Sequence, residues 1–231
     1  MNAGQGRRGE HVHAMRDLVD HQVVDCNDEM VGKVDDLVFD GSDGGEPVVA
    51  SILVGVPALA ARFEGAAGRW FERIARRVLA DPEPHNIPLP VVQRTEQSMV
   101  VPMPRREIEE QYTNPVLPGA LRLSHLVGSQ VVDVDEQPVG RVGDLWLVAE
   151  PGDPASLRLD ALVVGAAAVG DRLGYSHVDG PAGPTPLRLL FRALGRHARF
   201  VPWQLVTATA PRVVHVSRRF ADLAELSEVE Q

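Results

Sequence analysis

The residues of this chain best suited to chemistry are acids gathered in two turns. Asp25-Cys26-Asn27-Asp28-Glu29 and Asp133-Val134-Asp135-Glu136 each present several oxygen ligands in a short span. Counted from Asp25 or Asp133, Asp36 and Asp144 fall twelfth, the loop length of a helix–loop–helix calcium site. Two strict requirements of that site fail. The sixth position, where glycine permits the sharp turn, is Met30 or Pro138, and the twelfth lacks a bidentate glutamate. The pattern predicts solvated hairpin turns without a metal, and Asp36 and Asp144 accepting backbone N–H bonds nearby. Other chemistry is thinly supported. The histidines are scattered, His11 and His13 lie in a polar N-terminal stretch, and no His-Glu-x-x-His run or Cys/His cluster exists. The single cysteine, Cys26, has acidic neighbours that do not favour a thiolate. There is no Gly-x-Ser-x-Gly elbow and no phosphate loop ending in Lys-Ser/Thr. No catalytic residue and no cofactor is assigned, the expectation is a non-enzyme, and a small-molecule ligand is disfavoured.

Two arginine-rich segments are better candidates for a binding surface. Gly68 to Leu79 places Trp70, Phe71, Ile74, Val78 and Leu79 along one helical face, with Arg69, Arg73, Arg76 and Arg77 around the rest. Pro186 to Phe200 places Leu187, Leu190, Phe191 and Leu194 opposite Arg188, Arg192, Arg196 and Arg199. Residues 66–80 carry +3 and residues 186–200 carry +4; removing both from the net charge of −9 leaves −16 on the rest. The first reading is that these helices pack against the body of the fold and pair with its carboxylates. The functional reading makes Arg69, Trp70, Arg73, Arg77, Arg188, Arg192 and Arg196 partner-binding residues. A basic amphipathic helix suits a protein partner, an anionic membrane surface or RNA phosphates. RNA is the weakest of these, because no aromatic-rich basic strand platform accompanies the helices.

The elements that must carry these segments come from a chain of 231 residues, a length that suits two domains. Hydrophobic content of 44% and charged content of 24% are ordinary globular values. A net charge of −9 disfavours non-specific attachment to nucleic acid or anionic membrane through the whole surface. Met1 to His13 lacks the apolar core of a signal peptide. The longest apolar run, Val48 to Ala61, is interrupted by Ser51, Gly55 and Pro57, and it falls short of the roughly 20 residues a spanning helix needs. A cytoplasmic protein is expected, with peripheral membrane contact as the alternative.

The chain also repeats itself. Leu18-Val19-Asp20-His21-Gln22-Val23-Val24-Asp25 and Val31-Gly32-Lys33-Val34-Asp35-Asp36-Leu37 match Leu126-Val127-Gly128-Ser129-Gln130-Val131-Val132-Asp133 and Val139-Gly140-Arg141-Val142-Gly143-Asp144-Leu145, without a gap. Ser51-Ile52-Leu53-Val54-Gly55 then matches Ala161-Leu162-Val163-Val164-Gly165, and Ile87-Pro88…Val91-Val92 matches Val201-Pro202…Leu205-Val206. Duplication followed by loop insertion produces this stepwise pattern. Each copy reads as a hairpin, a turn cluster, a very apolar strand, and a Pro-led segment before a last strand. Gly32 and Gly140 sit inside a strand, where glycine marks a bulge. Val34 and Leu37, three residues apart, can both face inward if a bulge falls near Asp35. Short, bent strands suggest small closed or nearly closed barrels.

On these residues the chain resembles the PRC-barrel family. The resemblance rests on Leu18…Val23-Val24-Asp25…Val31-Gly32-Lys33-Val34-Asp35-Asp36-Leu37 with the late Pro88-Leu89, and on the second copy with Pro202-Trp203. It implies a mainly β protein of two tandem small six-stranded β-barrels; the amphipathic segments 68–79 and 186–200 insert a helix into each, and Phe220, Leu223 and Leu226, at roughly helical spacing within Arg218 to Val229, predict a short C-terminal helix. Gly32, Asp36, Pro88, Gly140, Asp144, Pro202 and Trp203 form the structural signature. The expected organisation is a disordered tail at 1–13, barrels at 14–104 and 120–217, a linker at 105–119 allowing one helical turn at Arg105 to Tyr112, and a C-terminal helix and tail at 218–231. The family implies docking on other proteins and no enzymatic activity, so the expected function is an adaptor for protein partners.

Overall fold

The computed structural model describes residues 11–41, 45–55, 84–95, 98–150, 153–165 and 198–225. The protein is mainly β. Along the chain run β1 (His11–His13), a π-helical turn (Ala14–Leu18), β2 (Gln22–Val24), β3 (Met30–Asp40), β4 (Val48–Val54) and β5 (His85–Pro88). Then come β6 (Gln93–Arg94), β7 (Ser98–Val100), α1 (Arg105–Tyr112), β8 (Leu121–Arg122), α2 (Leu123–Leu126) and β9 (Gln130–Val132). The last are β10 (Pro138–Glu150), β11 (Asp153–Val164), β12 (Arg199–Pro202), β13 (Val206–Ala210), β14 (Val213–Val216) and β15 (Ala224–Glu225).

The chain divides into two compact units assembled from discontinuous stretches. Among its described residues, the first takes 11–12, 19–120 and Leu147–Leu159. Its ladder runs β6–β7–β2–β3–β4–β5, antiparallel throughout except for the parallel pair β2/β7. The β2/β3 register slips at Gly32: Val23 faces Gly32 while Val24 faces Met30. Glycine is required at this position, since a Cβ on Gly32 would lie 2.5 Å from Val54 Cγ1. A second bulge skips Asp35 between the pairs Val34↔Val54 and Asp36↔Leu53. It turns Val34 and Leu37 to the same side, and both are fully buried with Ile52, Leu53 and Val54. That is the inward bend the three-residue spacing predicts. Pro88 then opens a 3-10 turn at Leu89–Val91, closed by Val92 N–H on the Leu89 carbonyl at 2.9 Å.

The second unit takes His13–Leu18, Leu121–Trp146 and the stretch from Asp160 onward. Its ladder runs β13–β14–β9–β10–β11–β12, again with a single parallel pair, β9/β14. The β9/β10 register slips at Gly140, as its counterpart does at Gly32. Ala161 faces Pro202 in β11/β12 as Ser51 faces Pro88 in β4/β5. Val142 and Leu145 are both buried, and Pro202 opens a 3-10 turn at Trp203–Leu205. The two units thus share strand order, bulged glycines and Pro-led turn.

The structure departs from expectation in several places. His11–His13 is a strand, not disordered tail; Val12 is buried and His13 is held by a side chain far along the sequence. The proline-rich stretch after Pro104 contains a full two-turn helix, α1. Ile108 and Tyr112 are its buried face, and Arg105–Glu109 and Arg106–Glu110 pairs span its exposed side. The helix expected to end at Phe200 does not reach it, because Arg199 and Phe200 are extended in β12 against Val164 and Val163. No helix forms over Arg218–Glu225 either. A 3-10 turn at Phe220–Asp222 leads into β15, which pairs Ala224 with Phe200 and Glu225 with Arg199. Edge pairing on β12, with Leu223 buried beside it, outweighs a weak helical periodicity there. The remaining parts of both inserted-helix expectations, 68–79 and 186–197, lie outside the described residues.

Candidate functional site

The acidic turns are built alike. Asp25 Oδ1 accepts the N–H groups of Asn27 and Glu29 at 2.7 and 2.8 Å, and Asp25 N–H donates to the Glu29 carbonyl at 2.9 Å. Asp133 Oδ1 accepts Asp135 and Gln137 N–H at 2.9 Å each, and its own N–H donates to the Gln137 carbonyl at 3.0 Å. Asp28 and Glu136 sit at φ 61° and 57°, the left-handed residue that closes a three-residue hairpin loop. These carboxylates replace the backbone partners that a tight turn leaves without acceptors. Asp25 does more. Its Oδ2 accepts Arg105 N–H at 2.9 Å, so the same side chain caps α1 and ties the helix to the hairpin. Burial opposes ionisation of Asp25, but the N–H groups of Arg105, Glu29 and Asn27 outweigh it and hold the carboxyl below its ordinary value of 3.8. A carboxylate so engaged is a structural acceptor first, which matches the hairpin reading of these turns.

Asp36 and Asp144 lie at the strand bend and are essentially inaccessible to water, at 0% and 1% exposure. Asp36 Oδ1 accepts Leu37 N–H at 2.9 Å, and Asp144 Oδ1 accepts Leu145 N–H at 2.7 Å. Both therefore take backbone N–H bonds, as their position predicts. Neighbouring Asp35 takes Gly55 N–H at 2.7 Å.

In the second unit Asp144 has further partners that no local pattern announces. Its Oδ1 also accepts Met15 N–H at 2.9 Å, and its Oδ2 lies 3.1 Å from His13 Nδ1. His13 N–H donates to Asp17 Oδ2 at 2.8 Å, closing the π-helical turn. Burial opposes charge on Asp17, but the Arg16 hydrogen bond and His13 N–H prevail and lower its pKa. The His13 ring centroid lies 4.9 Å from that of Trp146, and Trp146 meets Phe200 edge-on at 5.4 Å. An aspartate holding a histidine is the orienting half of a general-base arrangement. Here the same carboxylate also anchors two backbone amides, so its geometry is spent on pinning His13–Leu18 against β10. The pair was missed in the sequence because its members are 131 residues apart.

Of the signature residues, Gly32 and Gly140 occupy the bulges, Pro88 and Pro202 open the 3-10 turns, and Trp203 is half-buried in its turn. They lie in separate ladders and form no single constellation. The partner-binding candidates Arg69, Trp70, Arg73, Arg77, Arg188, Arg192 and Arg196 all lie outside the described residues. Among the described residues, no three His, Cys, Asp or Glu side chains gather as metal ligands, and no helix is long and apolar enough to cross a membrane. No protein-family model matches the chain, and no curated protein matches it.

Proposed function

We propose that the chain is an adaptor built from two PRC-barrel-like modules that arose by internal duplication and dock on protein partners in the cytoplasm. One observation carries the reading. The acidic residues common to both matched stretches, Asp25 with Asp133 and Asp36 with Asp144, are engaged in holding backbone N–H groups. What the two copies preserve in common is thus a scaffold, in ladders of the same six-strand order. A scaffold repeated within one chain suits a protein that presents surfaces to partners. The PRC-barrel assignment and the barrel closure of each unit belong to this proposal.

The test is affinity capture from native extract, followed by reconstitution with the purified partner. A defined complex with one protein, retained after nuclease and detergent treatment, supports the adaptor. Recovery of lipid or nucleic acid alone refutes it. The charge contrast between the arginine-rich segments and the rest of the chain favours a second reading, a membrane-peripheral or ribosome-associated factor. Flotation with anionic vesicles that is lost on changing Arg69, Arg73, Arg188 and Arg192 to Glu, with folding intact, would select that reading.

A further inference from the structure

Chain connectivity in the second unit sets one segment apart. His13–Leu18 belongs to that unit, whereas Val12 before it and Val19 after it belong to the other. No peptide bond within the second unit therefore holds His13–Leu18 in place, and its fastenings are those of a bound peptide. Asp144 Oδ1 accepts Met15 N–H at 2.9 Å, Asp144 Oδ2 lies 3.1 Å from His13 Nδ1, and the His13 ring centroid lies 4.9 Å from that of Trp146. Ala14 and Leu18, four residues apart, are fully buried. The segment also brings its own shape. Asp17 Oδ2 accepts His13 N–H at 2.8 Å and Asp17 Oδ1 takes the Arg16 guanidinium at 2.7 Å, so little freedom is lost on docking. The receiving side chains are held in turn: Asp144, 1% exposed, accepts Leu145 N–H at 2.7 Å, and Trp146 meets Phe200 edge-on.

We propose that Asp144, Trp146 and Phe200 form a peptide-recognition site, filled in cis by His13–Leu18 and able to take a segment of the same chemistry in trans. That chemistry is His-Ala-x-x-Asp-Leu. It supplies a ring N–H for the carboxylate, a small side chain next to it, a backbone amide two residues on, an acid that closes the turn and an apolar residue to bury. One carboxylate that takes both a ring and an amide is selective, because an occupant missing either donor leaves a buried oxygen without its bond. A tethered occupant acts at an effective concentration of the order of millimolar, so the site stays closed to a dilute competitor until the cis segment is weakened. The site lies within one unit and is tested with purified components, so it stands whether or not the adaptor reading holds.

Fluorescence anisotropy of a labelled peptide of residues 11–20, added to the full chain, tests this. His13→Ala with Met15→Pro removes both donors from the cis segment, so this variant should bind the peptide at least about tenfold more tightly than wild type does. The peptide carrying the same changes should bind neither chain. Native-state hydrogen exchange of the wild-type chain gives a second measurement that needs no variant. The Met15 amide should exchange at least about tenfold faster than that of Val142, which donates to the Ser129 carbonyl at 2.9 Å in the same unit, because the segment opens without the ladder. A folded variant that binds the peptide no better than wild type, binding of the altered peptide, or a Met15 amide that exchanges only together with Val142 overturns the proposal.

Discussion

Replacing Asp144 with Ala tests whether the buried acids of this fold hold backbone. Asp144 is 1% exposed and accepts three bonds, from Leu145 N–H at 2.7 Å, Met15 N–H at 2.9 Å and the His13 ring at 3.1 Å. Alanine strands the Leu145 amide inside the core and removes the anchor of Met15. Each amide left without an acceptor costs about 1–3 kcal/mol, and the exchange of the His13 contact for water adds less than about 1 kcal/mol. The two amides together are therefore expected to cost about 2–6 kcal/mol, large for a single substitution. With a urea dependence near 2–3 kcal/mol per molar, the midpoint of the second unit falls by roughly 1 M or more. Tryptophan fluorescence reads the transition, because buried Trp146 contacts both the His13 and Phe200 rings. Asp144→Asn retains a carbonyl oxygen for the two amides and should lose less than half as much. In a cycle with His13→Ala, the double variant should be milder than the sum of the singles. A midpoint for Asp144→Ala within about 0.2 M of wild type would refute the structural role.

Gly32→Ala puts a Cβ 2.5 Å from Val54 Cγ1, and Val54 is fully buried with a stiff side chain. The expected cost is about 1–3 kcal/mol of overpacking, and Gly32→Ala with Val54→Ala should be less destabilised than the sum of the two changes, as read by urea melts. The Asp25 carboxyl is depressed below its ordinary value of 3.8. Its contribution to stability is complete above that value and is lost as pH falls through the lower folded-state pKa. Stability of the first unit should therefore drop in acid, and Asp25→Asn should be less stable at neutral pH with a shallower drop, followed by chemical denaturation at a series of pH values. Glu136 holds a left-handed backbone that asparagine tolerates better. Glu136→Asn should raise stability by about 0.5 kcal/mol, visible as a small rise in Tm.

How much of this was legible in the sequence depends on how local its cause is. The bulge at Asp35 follows from Val34 and Leu37 standing three apart, and the glycine bulges from Gly32 and Gly140 inside strands; each sits within a few residues of its cause. The hairpin turns were readable for the same reason, since Asp25 and Asp133 bond only two and four residues onward within them. What failed was non-local. His11–His13 looks like polar tail until Asp144 is placed beside it, 131 residues away. Leu223 suggested a helix through its spacing from Phe220 and Leu226, but β12 offered an edge that the local periodicity could not reveal. The parallel pairs β2/β7 and β9/β14 join strands distant in sequence, and no local pattern encodes that pairing. The arginine-rich segments, the most conspicuous binding candidates, lie outside the described residues.

The two ladders agree where their residues support backbone and differ at their margins, and the difference bears on function. Turn acids, bulged glycines and Pro-led turns match between units because the same bent ladder must be made twice. The margins are under no such constraint. One unit finishes at β5 beside α1, whose first amide is held by Asp25, while the other finishes at β12 beside β15. At the opposite margin, a two-residue strand bearing Arg94 corresponds to a five-residue uncharged one. A partner that distinguishes the two units must read these margins, because the acids and apolar residues the units share are buried or committed to turns. Substitutions at Asp25, Asp36, Asp133 and Asp144 should accordingly lower stability, as read by urea melts.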